Sequence, residues 1–174
     1  MFNSSIFKNK SMNYLNKFTA NTQLKLSPFF ERTSKLNESQ EWRRWSGYLS
    51  ATNYELTHEN EYFAIRTKAA LLDISPLKKY LIEGPDASNL LDRLVTRNIQ
   101  ICKVGQVMYT PWCDENGKVI DDGTVQRLSE SKYRITSAEP NLDWINHIAT
   151  GMNVNILDDS ETTAALALQG PKSR

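Results

Sequence analysis

The sequence predicts an α+β fold: a mostly antiparallel sheet with helices on one face, on the split βαβ (ferredoxin-like) plan with one extra strand. Three observations predict it. Apolar residues switch between strand and helix spacing in the order β-α-β-β-β-α-β from Lys79 to Leu157. Ala87, Leu90, Leu91, Leu94 and Val95 fall at i, i+3, i+4, i+7 and i+8, the stripe of an amphipathic helix. Asn116-Gly117 stands between two strand-like runs, the strongest short hairpin signal.

The elements follow in chain order. Residues 1–26 read as a disordered leader, since residues 1–30 hold Lys8, Lys10, Lys17 and Lys25 and no acid, with abundant Asn, Ser and Thr. The leader lacks the apolar core of a secretory signal, and it lacks the Arg that mitochondrial presequences favour. Residues 27–75 are expected to belong to a first, incomplete subdomain. There, Trp42-Arg43-Arg44-Trp45 reads as aromatic anchors with Arg stems packed on the rings. A helix is expected from Thr57, with Glu59 and Glu61 in its first turn, Arg66 and Lys68 in its last, and Tyr62, Ile65 and Ala69 as its buried stripe.

Residues 76–158 form the expected ferredoxin-like subdomain. Lys79–Glu83 is a strand stopped by Gly84-Pro85, and Asp86 is placed to cap the helix that follows. Gln106–Cys113 and Lys118–Gln126 are hairpin strands, and Tyr133–Thr136 is a third. Pro140 sits where a first-turn proline belongs, ahead of a helix lined by Leu142, Ile145 and Ala149 and ended by Gly151. Val154–Leu157 closes the subdomain. Residues 159–174 begin a strand, Ala164–Leu168, that returns to the first subdomain. Nothing after it could cover so apolar a strand, so the chain is expected to be truncated.

Composition narrows the function. The 174 residues carry 21 basic and 20 acidic groups, and beyond residue 30 the balance is 17 against 20, a net of −3. That is no footprint for nucleic acid or an anionic membrane. The longest uncharged apolar stretch, around Thr162–Leu168, is far short of the ~20 residues that span a bilayer. A single Trp–Arg cluster without a wider basic field is weak ground for base stacking. The expected compartment is cytoplasmic, with the mitochondrial matrix as the alternative if the leader is a presequence.

Few side chains point to chemistry. Cys102 and Cys113 match neither a disulfide scaffold nor a zinc site, and no Gly-rich phosphate loop is present. His58 lacks the second His of a zinc-protease helix and reads as a first-turn surface residue; His147 reads as a partly buried structural one. What remains is Val119-Ile120-Asp121-Asp122-Gly123-Thr124. Adjacent strand residues point to opposite faces, so the two acids cannot form a dyad. One must face inward or into a cleft, unless a bulge or turn beside Gly123 leaves both solvated.

Ordered fragments then carry a resemblance. Gly84-Pro85-Asp86-Ala87, Val104-Gly105-Gln106 with Tyr109, Asn116-Gly117-Lys118-Val119-Ile120-Asp121-Asp122, and Leu166-Ala167-Leu168-Gln169-Gly170-Pro171 occur at closely matching spacing. Together they resemble the folate-binding, N-terminal half of the aminomethyltransferase (glycine cleavage T-protein) family, over about residues 27–174. The resemblance implies one-carbon transfer to tetrahydrofolate as co-substrate. The donor would be a small methyl or aminomethyl compound, free or carried on a lipoyl protein. It implies that Asp122 contacts the pterin, as the catalytic carboxylate, and that Tyr109 lines the pterin pocket. Asp121, on the other face, is assigned to structure. Leu77 and Ser137 take positions near the family's folate site.

The chain also departs from the family pattern. Pro76 and Leu77 in Asp73-Ile74-Ser75-Pro76-Leu77-Lys78 replace a His and a Met. Thr136-Ser137-Ala138-Glu139-Pro140 replaces an Asn-containing stretch, with Ser137 at its first Asn. These changes weigh against glycine cleavage itself and favour a divergent branch, such as demethylases of sulfonium compounds or methyl ethers. The residues that complete the family's folate site would lie beyond Arg174, so the fragment alone is expected to be inactive. A non-catalytic folate-binding regulatory or assembly protein is the alternative, and the retained Asp122 argues for the enzyme.

Overall fold

The computed structural model describes residues 24–174. Residues 1–23 of the expected leader lie outside the described part. At its end, Lys25 pairs beside Tyr48, with its N–H on the Gly47 carbonyl at 2.8 Å. The chain forms two compact units. One comprises the described residues up to Pro76 together with Leu166–Arg174; the other is Leu77–Ala165.

The first unit holds a short helix α1 (Phe30–Thr33), strands β1 (Trp42–Trp45) and β2 (Tyr48–Ala51), helix α2 (Glu59–Thr67), and strands β3 (Ala70–Asp73) and β9 (Leu166–Gln169). β1 and β2 form an antiparallel hairpin through Ser46-Gly47, both at positive φ (46° and 84°), the geometry of a type I′ turn. Trp42 anchors the hairpin on Phe30, ring centroids 5.2 Å apart, and the Arg43 guanidinium lies 6.0 Å from the Trp45 ring. β3 pairs antiparallel with β9, Leu71 opposite Leu168. α2 begins later than expected, after His58, which is exposed. The Thr57 hydroxyl instead binds the Glu59 carboxylate and holds it below the usual carboxylate range. None of the residues of α2 is buried, and Tyr62 and Ile65 are exposed, so the predicted stripe is not covered by the described residues.

The second unit runs β4 (Lys78–Glu83), α3 (Ala87–Leu94), β5 (Val107–Cys113), β6 (Val119–Ser129), β7 (Lys132–Ser137), α4 (Leu142–Ile148) and β8 (Asn155–Asp158). Its five-stranded antiparallel sheet has the order β5-β6-β7-β4-β8. The run β8-β4-β7-β6 is the split βαβ order, and β5 is the extra strand at the edge. Strand alternation sends Met108, Val125, Ile135, Tyr80 and Ile82 to one face, where Leu90, Leu91 and Leu94 of α3 and Ile145 of α4 complete the core. Each such side chain contributes roughly 1.5–3 kcal/mol by leaving water, which is why the helices settle on this face. The other face is where Tyr109, Thr124, Thr136 and Lys79 form one cross-strand row.

Three local expectations are corrected. Asp86 precedes α3 without capping it, because its Oδ2 accepts the Asn153 N–H at 2.8 Å and ties down the loop before β8. Pro140 lies outside α4, since Asn141 is the helix's cap residue. His147 is exposed, its ring 5.7 Å from that of Trp144.

The second unit extends to Ala165 rather than ending near residue 158, because the turn after β8 is tied back to the sheet. The Asp159 N–H donates to the Lys79 carbonyl at 2.8 Å, and the Asp159 carboxylate takes Arg134 at 2.9 Å, Thr163 at 2.7 Å and the Thr162 hydroxyl. Burial pushes the Asp159 carboxyl up, but the two threonine hydroxyls and Arg134 together outweigh it and leave the group below the usual range. Asp159→Ala is therefore expected to cost about 1–3 kcal/mol in urea unfolding at pH 7. A lowered folded pKa stabilises above the ordinary Asp value, about 3.9, and this stabilisation disappears as pH falls through the folded value. Wild type and variant should converge there; a constant difference down to pH 2 would show that the carboxylate charge plays no part.

Candidate functional site

The β5–β6 hairpin builds the site. Its loop has five residues, Asp114–Lys118, rather than the two the Asn-Gly pair suggests. The Asp114 carbonyl accepts the Gly117 N–H at 3.0 Å, the Asp114 N–H donates to Lys118 at 2.8 Å, and Gly117 has φ 77°. That is a type I turn followed by a left-handed residue, a position glycine occupies without a Cβ clash. The Asp114 carboxylate holds the loop by accepting the Asn116 and Lys118 N–H groups, each at 2.9 Å.

Past the loop the register slips by one. Cys113 pairs with Val119, but Trp112 pairs with Asp121, leaving Ile120 as an extra residue in β6. A bulge of this kind re-aims the side chains beyond it. Without it Asp121 would lie opposite Pro111 and Asp122 opposite Thr110, a residue wholly buried on the helix-covered face. With it Asp121 turns inward beside Trp112, and Asp122, opposite Pro111, turns to the other face. The two acids thus part as strand alternation predicts, and the bulge decides which goes where.

Asp122 and Tyr109 meet. The Tyr109 hydroxyl donates to Asp122 Oδ2 at 2.8 Å, and both residues are exposed. The hydrogen bond to Asp122, more than burial or the neighbouring charge, holds the Tyr109 phenol above the ordinary tyrosine range. Among the described residues the phenol is the one partner of that carboxylate, which leaves its other acceptor positions open to incoming N–H groups. Arg97 holds the backbone below the pair, its Nη1 on the Tyr109 carbonyl at 3.1 Å.

Leu77 and Ser137 fare differently. Leu77 is half-buried just ahead of β4, and its carbonyl accepts the Lys79 ammonium at 2.8 Å. By alternation with Lys79 it falls on the face that bears Asp122, two strand spacings or about 10 Å away. Ser137 is on the opposite, helix-covered face, buried, its hydroxyl donating to the Glu139 carbonyl at 2.9 Å. The structure does not bring it to Asp122, because its strand phase matches that of the core residues Tyr133 and Ile135. Thr124 and Thr136, half-buried and paired with one another beside Tyr109, share the Asp122 face instead. The period-2 signal that marks Ile135 as core would have found Thr136.

A hollow of about 390 Å³ lies within the first unit, lined by Phe30, Trp42, Tyr54, Ile65 and Leu72 among others. Neither Tyr109 nor Asp122 lines it. No group of three or more His, Cys, Asp or Glu residues suited to a metal occurs among the described residues, and none of their helices is long and apolar enough to cross a membrane.

The chain matches the GCVT N-terminal domain over residues 29–174. It belongs to that family. The resemblance read from the ordered motifs is thereby confirmed. The chain is 33% identical over 156 residues to an aminomethyltransferase of Halothermothrix orenii, covering 87% of this chain and 42% of that one. It is 40% identical over 117 residues to a trimethylamine-oxide aldolase of Ruegeria pomeroyi, covering 66% of this chain and 15% of the aldolase. The crystal structure of the glycine cleavage system aminomethyltransferase T from Bartonella henselae superposes with a TM-score of 0.73 at 26% identity, over 86% of this chain and 42% of that chain. This GCVT-family chain therefore spans about two fifths of the length of such aminomethyltransferases.

Proposed function

We propose that this chain contributes the pterin-facing carboxylate of a tetrahydrofolate-dependent one-carbon transferase. The observation that carries the proposal is the Tyr109–Asp122 hydrogen bond between two exposed side chains of a GCVT-family chain. An ionised carboxylate accepts hydrogen bonds only, and a reduced pterin presents N–H donors, so donor and acceptor match. Tetrahydrofolate, when bound, supplies the nitrogen nucleophile that accepts the single carbon. Asp122 would accept the N–H groups beside that nitrogen and stabilise the positive charge that develops there. Tyr109, donating to Oδ2, fixes the carboxylate rotamer and offers its ring as one wall for a stacked heterocycle. Leu77 would supply apolar contact from the far side of the same face. Ser137, turned into the core, is left out of the contact set.

The carbon donor is a small methyl or aminomethyl compound, free or carried on a lipoyl protein. Pro76, in place of the family's His, favours a branch other than glycine cleavage. The test is a titration of tetrahydrofolate into the full-length protein, followed by tryptophan fluorescence, with folate products then separated after addition of candidate donors. Saturable binding that is weakened in Asp122→Ala supports the reading. Wild-type protein that binds no tetrahydrofolate overturns it.

A further inference from the structure

We propose that Asp121 is a positioning residue that aims the Asp122 carboxylate at the Tyr109 hydroxyl, on the sheet face opposite the helices. β7 ends at Ser137, which pairs with Gly123, so no β7 residue lies opposite Asp122. On the other side Asp122 faces Pro111, whose carbonyl is turned away to accept the Thr96 N–H at 3.1 Å. The Asp122 N–H instead takes a side-chain acceptor. Asp121 Oδ1 provides it at 2.8 Å.

The same side chain is anchored on its other oxygen. Asp121 is 8% exposed, and its Oδ2 accepts Asn141 Nδ2 at 2.7 Å and the Glu139 N–H at 3.0 Å. Asn141 is itself held by buried aromatics: its Oδ1 accepts Trp112 Nε1 at 3.4 Å, and its N–H donates to the Tyr80 hydroxyl at 2.9 Å. Three N–H donors on one carboxylate offset the cost of burying its charge. They also make the residue type specific, because an asparagine presents one acceptor and cannot serve both sides. Asp121 thereby fastens the bulged segment of β6, and the backbone of Asp122 with it, to a fixed point in the core.

The inference deepens the folate reading of Asp122, but its test needs no folate. Tyr109 reports on where Asp122 stands, and the charged groups near it are the Asp122 carboxylate on β6 and Arg97 on its own carbonyl. The phenol can be titrated by NMR in protein carrying 13Cζ-labelled tyrosine, with the resonance assigned by its loss in Tyr109→Phe. Asp121→Asn is expected to move the Tyr109 titration down, back toward the ordinary tyrosine range, and Asn141→Ala to move it less far in the same direction. An Asp121→Asn protein that loses thermal stability while Tyr109 titrates as in wild type would overturn the proposal and leave Asp121 a brace of the fold alone. Should Asp121→Asn not fold, Asn141→Ala decides in the same way. Amide exchange in the wild type adds an independent reading: an Asp122 N–H exchanging at the rate of an unstructured chain would also overturn it. A displaced Tyr109 titration beside a failed tetrahydrofolate titration would remove the function and leave the positioning intact.

Discussion

Asp122→Ala is expected to weaken tetrahydrofolate binding by roughly 10–150-fold, the loss of one hydrogen-bonded charged group at about 1.5–3 kcal/mol. Under the proposed function, carbon transfer by the full-length protein should fall further, by about 10²–10³-fold, because the carboxylate would act most strongly on charge that exists only in the transition state. Asp122→Asn keeps the volume and one acceptor, so its binding should lie between wild type and alanine while transfer stays close to the alanine value. Asp122 is exposed, and its side chain is tied to Tyr109 alone among the described residues, so the fold should hold within about 0.5 kcal/mol. Calorimetric titration and a single-turnover assay read the two effects separately. Transfer unchanged by either substitution would take Asp122 out of the mechanism.

Much of this was legible in the sequence, and the part that was not has definite physical causes. Periodicity located α3, because Leu90, Leu91 and Leu94 must all reach one apolar surface, and all are buried. The opposite facing of Asp121 and Asp122 followed from strand alternation. The bulge at Ile120 did not, since register is set by how β5 meets β6 and not by either strand alone. A family position fixes a place along the chain, whereas the face that Ser137 occupies depends on strand phase, which puts it with Tyr133 and Ile135. Trp42-Arg43-Arg44-Trp45 shows no apolar alternation to mark a strand; the hairpin there rests on the Ser46-Gly47 turn and on Trp42 packing against Phe30. The stripe on α2 shows the opposite lesson. Tyr62 and Ile65 record which residues call for cover, and nothing in their spacing says what supplies it.

Gly123→Ala should be the most damaging single-methyl change in the second unit. A Cβ at this position would lie 1.7 Å from the Thr136 carbonyl oxygen and 2.9 Å from its carbon. Both are backbone atoms of β7, so no flexible side chain can yield, and the strands must part or slip. Slippage by one residue would send Tyr133 and Ile135 to the wrong face, so parting at the middle of the sheet is the cheaper failure. The expected cost exceeds about 4 kcal/mol, a large share of the 5–15 kcal/mol that holds a domain together. Gly117→Ala is the control: its φ is 77°, but nothing lies within 4 Å of the added carbon, so the cost should be only about 1 kcal/mol of backbone strain. Urea unfolding of the two variants side by side decides the matter, and equal midpoints would show that β6 and β7 are not in the close approach described. The argument also reaches the site. Gly123 follows Asp122 directly, and the tight contact it permits with Thr136 holds Thr124 beside Tyr109 and stations the carboxylate one residue beyond the last β6–β7 rung. Gly123→Ala protein recovered in soluble form should therefore have lost the Tyr109–Asp122 hydrogen bond along with its sheet.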